Sequence, residues 1–219
     1  MRSIARCASG STRSGRTVET ILLLGLALLA VVGAALGCSS TPSVRRTDVG
    51  EVIDVSGFWN DTDSQQVSAG MVEDCLSRPW IDQWRDASGQ KPSVIVGAVR
   101  NRSSEHINTR TFTKDLERAL VNSGRVRVVA SSDERGGLRE ERLDQLRNAT
   151  IDTAKSMGKE VGADLMLIGD INTIIDAAGG KSVRFYQVDL ELVDLETNEK
   201  VWIGQEKIKK FVKQPRFGG

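Results

Sequence analysis

The chain has 219 residues, 39% hydrophobic and 27% charged, with a net charge of +1. That is room for a leader plus one domain of ordinary size, and it excludes a multi-span membrane protein or a disordered chain. Within residues 1–37, Arg2, Arg6, Arg13 and Arg16 stand against Glu19, so the remainder carries −2. A slightly acidic body has no overall attraction for nucleic acid, and none is expected as a partner.

Residues 2–20 are polar and basic, and Ile21–Leu36 is almost purely aliphatic. That order is the signature of an export signal, and the apolar run is shorter than the roughly 20 residues a spanning helix needs. Ala35-Leu36-Gly37-Cys38 then resembles the bacterial lipobox. The resemblance implies diacylglycerol on the Cys38 thiol, cleavage after Gly37 and acylation of the new amino terminus, which makes residues 1–37 a signal peptide. Each buried methylene of such chains contributes about 0.8 kcal/mol, so the anchor is firm. Ser39 stands where an aspartate would, in enterobacterial lipoproteins, favour the inner membrane. The expected location is the periplasmic face of the outer membrane. With Cys7 in the leader and Cys38 blocked, Cys75 is the one free thiol, in helical register with Val67 and Met71 and read as a core residue. The covalent lipid is the only non-protein group expected; no spacing of cysteines and the single histidine fits a metal.

Residues 38–56 read as the lipidated terminus and a flexible linker, reaching roughly 60 Å extended and roughly 25 Å as a coil. Thr62 with Gln65 gives a capping-box pattern for a helix ending near Ser77, ahead of Pro79. Trp80, Ile81 and Trp84 form an aromatic cluster that reads as packing. Pro92–Val99 is a strand buried on both faces. Thr109–Asn122 is a helix with Phe112, Leu116, Ala119 and Leu120 on one side, stopped at Gly124. With a strand at Val126–Ala130 this makes a right-handed parallel crossover. "SSDERGG" (131–137) reads as a loop, and Leu143–Val161 as one long helix or two short ones. "GADLMLIGDINTII" (162–175) reads as a second strand buried on both faces. After a Gly179-Gly180 turn, Tyr186, Val188, Leu190 and Leu192 alternate with Gln187, Asp189 and Glu191, a strand with one wet face. "VWIGQEKIKKF" (201–211) is its hairpin partner. Residues 57–219 are therefore expected to form an α/β (α+β) domain, a mixed sheet of four or five strands with flanking helices.

Chemistry has no visible home in this order. His106 is the sole histidine, and it and Glu105 read as a solvated loop rather than an acid–base pair. Nucleophile-elbow, phosphate-loop and dinucleotide signatures are absent. Asp164 and Asp170 bracket a strand and lie roughly 20 Å apart, too far for paired-carboxylate work. The expectation is a non-catalytic module. Lys207, Lys209, Lys210, Lys213 and Arg216 give the last strand a basic side, either a solvated face guarding a sheet edge or a dock for an acidic partner or an anionic wall polymer.

The segments "SVIVGAVRNRS", "LERALVNSGRVRVVAS", "VGADLMLIGDI" and "VDLELVDLETNEKVWIG" follow the lipobox and linker in that order. Over roughly residues 57–212 they resemble the LpoB family of penicillin-binding protein activators. The resemblance implies a domain like the N-terminal domain of TolB, carried by a monomeric outer-membrane lipoprotein. It also implies binding to a small regulatory domain of a bifunctional peptidoglycan synthase, whose two activities it stimulates. Cys38 is the lipidation site, and Arg100, Arg102, Lys207 and Lys210 are the candidate partner contacts. The linker is shorter than the Pro/Gln-rich tail of enteric members. The competing expectation is a CsgG-like secretion subunit or other periplasmic scaffold lipoprotein, which would need a barrel-forming hairpin that the sequence does not display.

Overall fold

The structure is a computed structural model that describes residues 43–150 and 160–213. The lipobox with Cys38, residues 151–159 of the predicted Leu143–Val161 helix and Arg216 lie outside the described residues, and Glu160 and Val161, at the predicted end of that helix, are not helical. From Gly50 onward the chain forms one compact unit.

Helix α1 spans Asp61–Ser77. Its capping box sits two residues earlier than Thr62 and Gln65: the Asn60 side chain accepts from the Asp63 N–H at 3.0 Å, and the Asp63 carboxylate accepts from the Asn60 N–H at 2.9 Å. A short aspartate serves where a longer glutamine was read, because both orphan donors are satisfied. Val67, Met71, Val72, Cys75 and Leu76 are buried along one side. The aromatic cluster is itself a helix, α2 (Trp80–Ser88), closed by Gly89 in the left-handed region. Trp80 Nε1 donates to the Cys75 carbonyl at 2.7 Å, locking α2 to the end of α1.

Strand β1 (Ser93–Asn101) leads through the Glu105–His106 loop into α3 (Thr109–Ser123), whose Phe112, Leu116 and Leu120 are buried. Strand β2 is only Arg127–Val128, shorter than the five residues read from the sequence. "SSDERGG" opens a helix, α4 (Ser132–Asn148), instead of forming a loop. Ser131 and Glu134 make a full capping box. That box and a run of strong helix formers outweigh two glycines, which cost about 1 kcal/mol each. No residue of α4 is buried, which is why apolar periodicity misplaced its start.

Strands β3 (Leu165–Ala178), β4 (Lys181–Asp194) and β5 (Lys200–Lys213) are each 14 residues long. The β3–β4 hairpin is thus much longer than the sequence reading allowed. Gly179 and Gly180 turn it with φ of 57° and 76°, values a two-residue hairpin turn requires and side chains disfavour. The sheet runs β2-β1-β3-β4-β5. β1 is parallel to β2 and β3, while β3–β4 and β4–β5 are antiparallel. The mixed α+β sheet expected from the sequence is therefore what forms.

The strand residues of the main core cluster point to one face, and Ile95, 8% exposed opposite Met166, is buried on the other. Val94, Val96, Leu165, Leu167, Ile171, Tyr186, Val188, Leu190, Leu192 and Trp202 join the buried side chains of α1 and α3 in a single cluster. β3 therefore alternates between a buried and a half-open face, where two buried faces were expected. The physical reason is topological: among the described residues, α1 and α3 are the helices that make extensive contact with the sheet, and they meet the side that carries the core cluster. Trp202 folds back over Gly204, where a Cβ would stand 2.1 Å from the indole ring.

Candidate functional site

Glu105 is not solvated. Its side chain is 5% exposed and takes Arg184 Nη1 at 2.6 Å. Tyr186 Oη donates to it at 2.7 Å, with the Gly57 carbonyl 3.0 Å from the same hydroxyl, and the Trp59 N–H donates at 3.2 Å. Burial, then the neighbouring carboxylate, pushes the Tyr186 hydroxyl well above the ordinary phenol range. Trp59 stands edge-on to Phe112 and Tyr186 with centroids 6.2 and 5.6 Å away, and the Arg184 guanidinium lies 3.8 Å over Phe58. Every donor around the carboxylate comes from the chain itself, so this cluster fastens the entry segment to β4. His106 is exposed and shares no hydrogen bond with Glu105 among the described contacts. Asp164 accepts from the Ser93 N–H at 2.7 Å, and Asp170 pairs with Arg102 at 3.0 Å, so each serves its own neighbour. Among the described residues no group of three or more His, Cys, Asp or Glu is arranged to hold a metal. Cys75 is buried, and burial together with Asp74 pushes its thiol up to about 12.

Lys210 also departs from the solvated basic face. Its side chain is 12% exposed and bonds Asp63 at 2.6 Å and Asp54 at 2.9 Å. Those pairs raise its pKa against the opposing effect of burial. It points to the helix side, since Lys210 opposes Arg184 and neighbours Ile208 and Val212 in β5. Lys210 is held inward by two ion pairs.

The remaining predicted contacts meet on the sheet face opposite the α1–α3 core. Strand alternation and register lay that face out in rows. Ile168, Glu191 and Ile203 form one row, then Asp170, Asp189 and Gln205, then Asn172, Gln187 and Lys207. Arg100 on β1 stands opposite Asp170, with Arg102 bonded to that carboxylate from the end of the strand. Asp189 gathers the side-chain amides of Gln187 at 2.9 Å, Gln205 at 2.7 Å and Asn172 at 3.5 Å. This held set of side chains needs little further ordering when a partner binds. Between Arg100, Met166, Ile168, Asp189 and Glu191 lies a depression of about 290 Å³. The sequence reading named Arg100, Arg102 and Lys207 but missed the Asp189 amide cluster. The alternation of Gln187, Asp189 and Glu191 was its signal, read only as a wet face.

The family profile of the peptidoglycan-synthase activator LpoB matches residues 63–208, more than half the chain. The chain belongs to the LpoB family. The chain is similar in structure to the LpoB C-terminal domain from Escherichia coli, with 19% identity over 65% of this chain and 98% of that one and a TM-score of 0.36. For the Salmonella enterica LpoB domain the figures are 18%, 65%, 98% and 0.35. For the lipoprotein GNA1162 from Neisseria meningitidis they are 16%, 55%, 83% and 0.34. Comparison with curated protein sequences gives no match. Among the described residues no helix is long and apolar enough to cross a membrane.

Proposed function

We propose that the chain is a non-catalytic regulator, acylated at Cys38 and held at the periplasmic face of the outer membrane, that docks on a bifunctional penicillin-binding protein and stimulates it. The observation that carries this reading is the family match across residues 63–208, and the open sheet face supplies the means. Arg100, Arg102 and Lys207 flank Asp170, Asp189 and Glu191 on one surface. A partner domain of mixed charge can pair with both signs there, which gives register and specificity more than raw affinity.

The test is the glycosyltransferase rate of a purified bifunctional synthase from the same organism, with and without the mature chain as a monomer. Stimulation by the wild type is expected, and Arg100→Glu with Lys207→Glu should weaken the apparent affinity about tenfold or more. An unchanged rate at saturating protein refutes the function. Equal stimulation by the variant removes the docking face. Mass spectrometry of the exported protein reads the acyl chains on Cys38, and an unmodified cysteine refutes the anchor.

A further inference from the structure

Beyond the Asp189 row, the sheet face opposite the core changes character. The next rows toward the Gly179-Gly180 turn are Ile174, Phe185 and Lys209; then Asp176, Val183 and Phe211; then Ala178, Lys181 and Lys213. Ile174 is 67% exposed and Phe211 64% exposed, and Lys181, Lys209 and Lys213 are exposed beside them. With Lys207 in the preceding row, four cations stand against one carboxylate, Asp176. The other acidic residues of the face, Asp170, Asp189 and Glu191, lie in the other half. One surface thus has two electrostatic ends, and the tip interleaves its cations with the protruding side chains of Ile174 and Phe211.

We propose that this tip is a second contact surface, one that rests on an anionic phospholipid bilayer. Two further observations single out a bilayer. Asp54–Gly57 and Lys209–Lys213 line the same groove, so the chain enters the domain beside this tip. The residues between Cys38 and Asp54 span at most about 55 Å. A lipid anchor at Cys38 therefore keeps the tip within that distance of the membrane surface. The chemistry also discriminates. A charged polysaccharide would be met by hydrogen-bonding groups, whereas Ile174 and Phe211 offer only hydrocarbon. Apolar side chains that enter the headgroup boundary while lysines meet lipid phosphates are the interfacial pattern. The tip holds the domain down by its far end and leaves the Arg100–Asp189 half of the face turned to a protein partner.

The inference rests on the anchored reading only for where the membrane lies, and its test needs no acyl chain. Flotation uses the chain from residue 38 onward carrying Cys38→Ser, with vesicles of phosphatidylcholine with or without phosphatidylglycerol. The wild type should float only with phosphatidylglycerol, and less as salt rises. Lys209→Glu with Lys213→Glu should weaken partitioning about tenfold or more. Phe211→Ala should weaken it severalfold with an unchanged circular dichroism spectrum, and Arg100→Glu should bind as the wild type does. A folded wild type that stays off anionic vesicles overturns the proposal, as does equal flotation of the double lysine variant. Loss of synthase stimulation in the lysine variant, without vesicle binding by the wild type, assigns the tip to the protein partner and also overturns it. Vesicle binding with no synthase stimulation refutes the regulatory function alone.

Discussion

Replacing Glu105 separates a structural carboxylate from a solvated one. Glu105→Ala strands the Arg184 guanidinium, whose side chain is 16% exposed, and leaves the Trp59 N–H without its acceptor. Removing one member of a buried pair costs about 3–5 kcal/mol, because the partner charge stays buried and unpaired. Arg184 keeps the Phe58 ring, 3.8 Å away, and some contact with water, so the lower end applies, about 3 kcal/mol. With a urea m-value of about 2 kcal/mol per molar, the unfolding midpoint should fall by about 1.5 M. Glu105→Gln still accepts from Tyr186 and Trp59, so it should lose about half as much. Glu105→Leu with Arg184→Met should recover part of the loss, since an apolar pair leaves no orphan charge. The assay is urea unfolding followed by tryptophan fluorescence, which also reports the environment of Trp59. A midpoint shift of Glu105→Ala below about 0.3 M, the behaviour of an exposed loop residue, would refute the reasoning.

Lys210→Ala should cost about 2 kcal/mol in thermal or urea unfolding, because the Asp63 carboxylate, 7% exposed, loses its counter-ion and keeps the Asn60 N–H. Lys207→Ala, three positions earlier in β5 and on the opposite face of the sheet, should stay within about 0.5 kcal/mol. Gly204→Val drives a side chain into the Trp202 indole, which stands 2.1 Å from the Cβ position, and should destabilise by about 1–3 kcal/mol. The Lys210 bond holds the Asp54 carboxyl below its ordinary value, and the Arg78 and Trp202 bonds do the same for Asp74. Their contribution is whole above the unfolded value of about 4 and is lost as pH falls through the lower folded values. The urea midpoint should therefore hold down to about pH 4 and then drop, less steeply in Asp74→Asn. The Cys75 thiol, pushed up to about 12, should react with a disulfide reagent only after denaturant is added.

Local pattern and tertiary context divide the outcome residue by residue. Phe112, Leu116 and Leu120 on α3 and the Tyr186–Leu192 alternation are legible because burial of one face imposes a period. α4 is not, because a helix with no buried residue has no apolar period to read. Its capping box was in the sequence, but two glycines masked it. Glu105 and Lys210 look like their solvated neighbours in sequence. Their partners lie in distant segments: Arg184 and Tyr186 for the first, Asp54 and Asp63 for the second.

The sequence by itself determined the family, the mixed sheet, the buried faces of α3 and β4 and the inert Cys75, all of which follow from chain-local periodicity and segment order. Only the tertiary structure decided which lysines of the basic run from Lys207 to Lys213 are paired inward and which stand exposed, and that the exposed ones gather at one end of one sheet face. Strand register across β3, β4 and β5 sets those neighbours, and register is fixed by cross-strand pairing, which no single strand encodes.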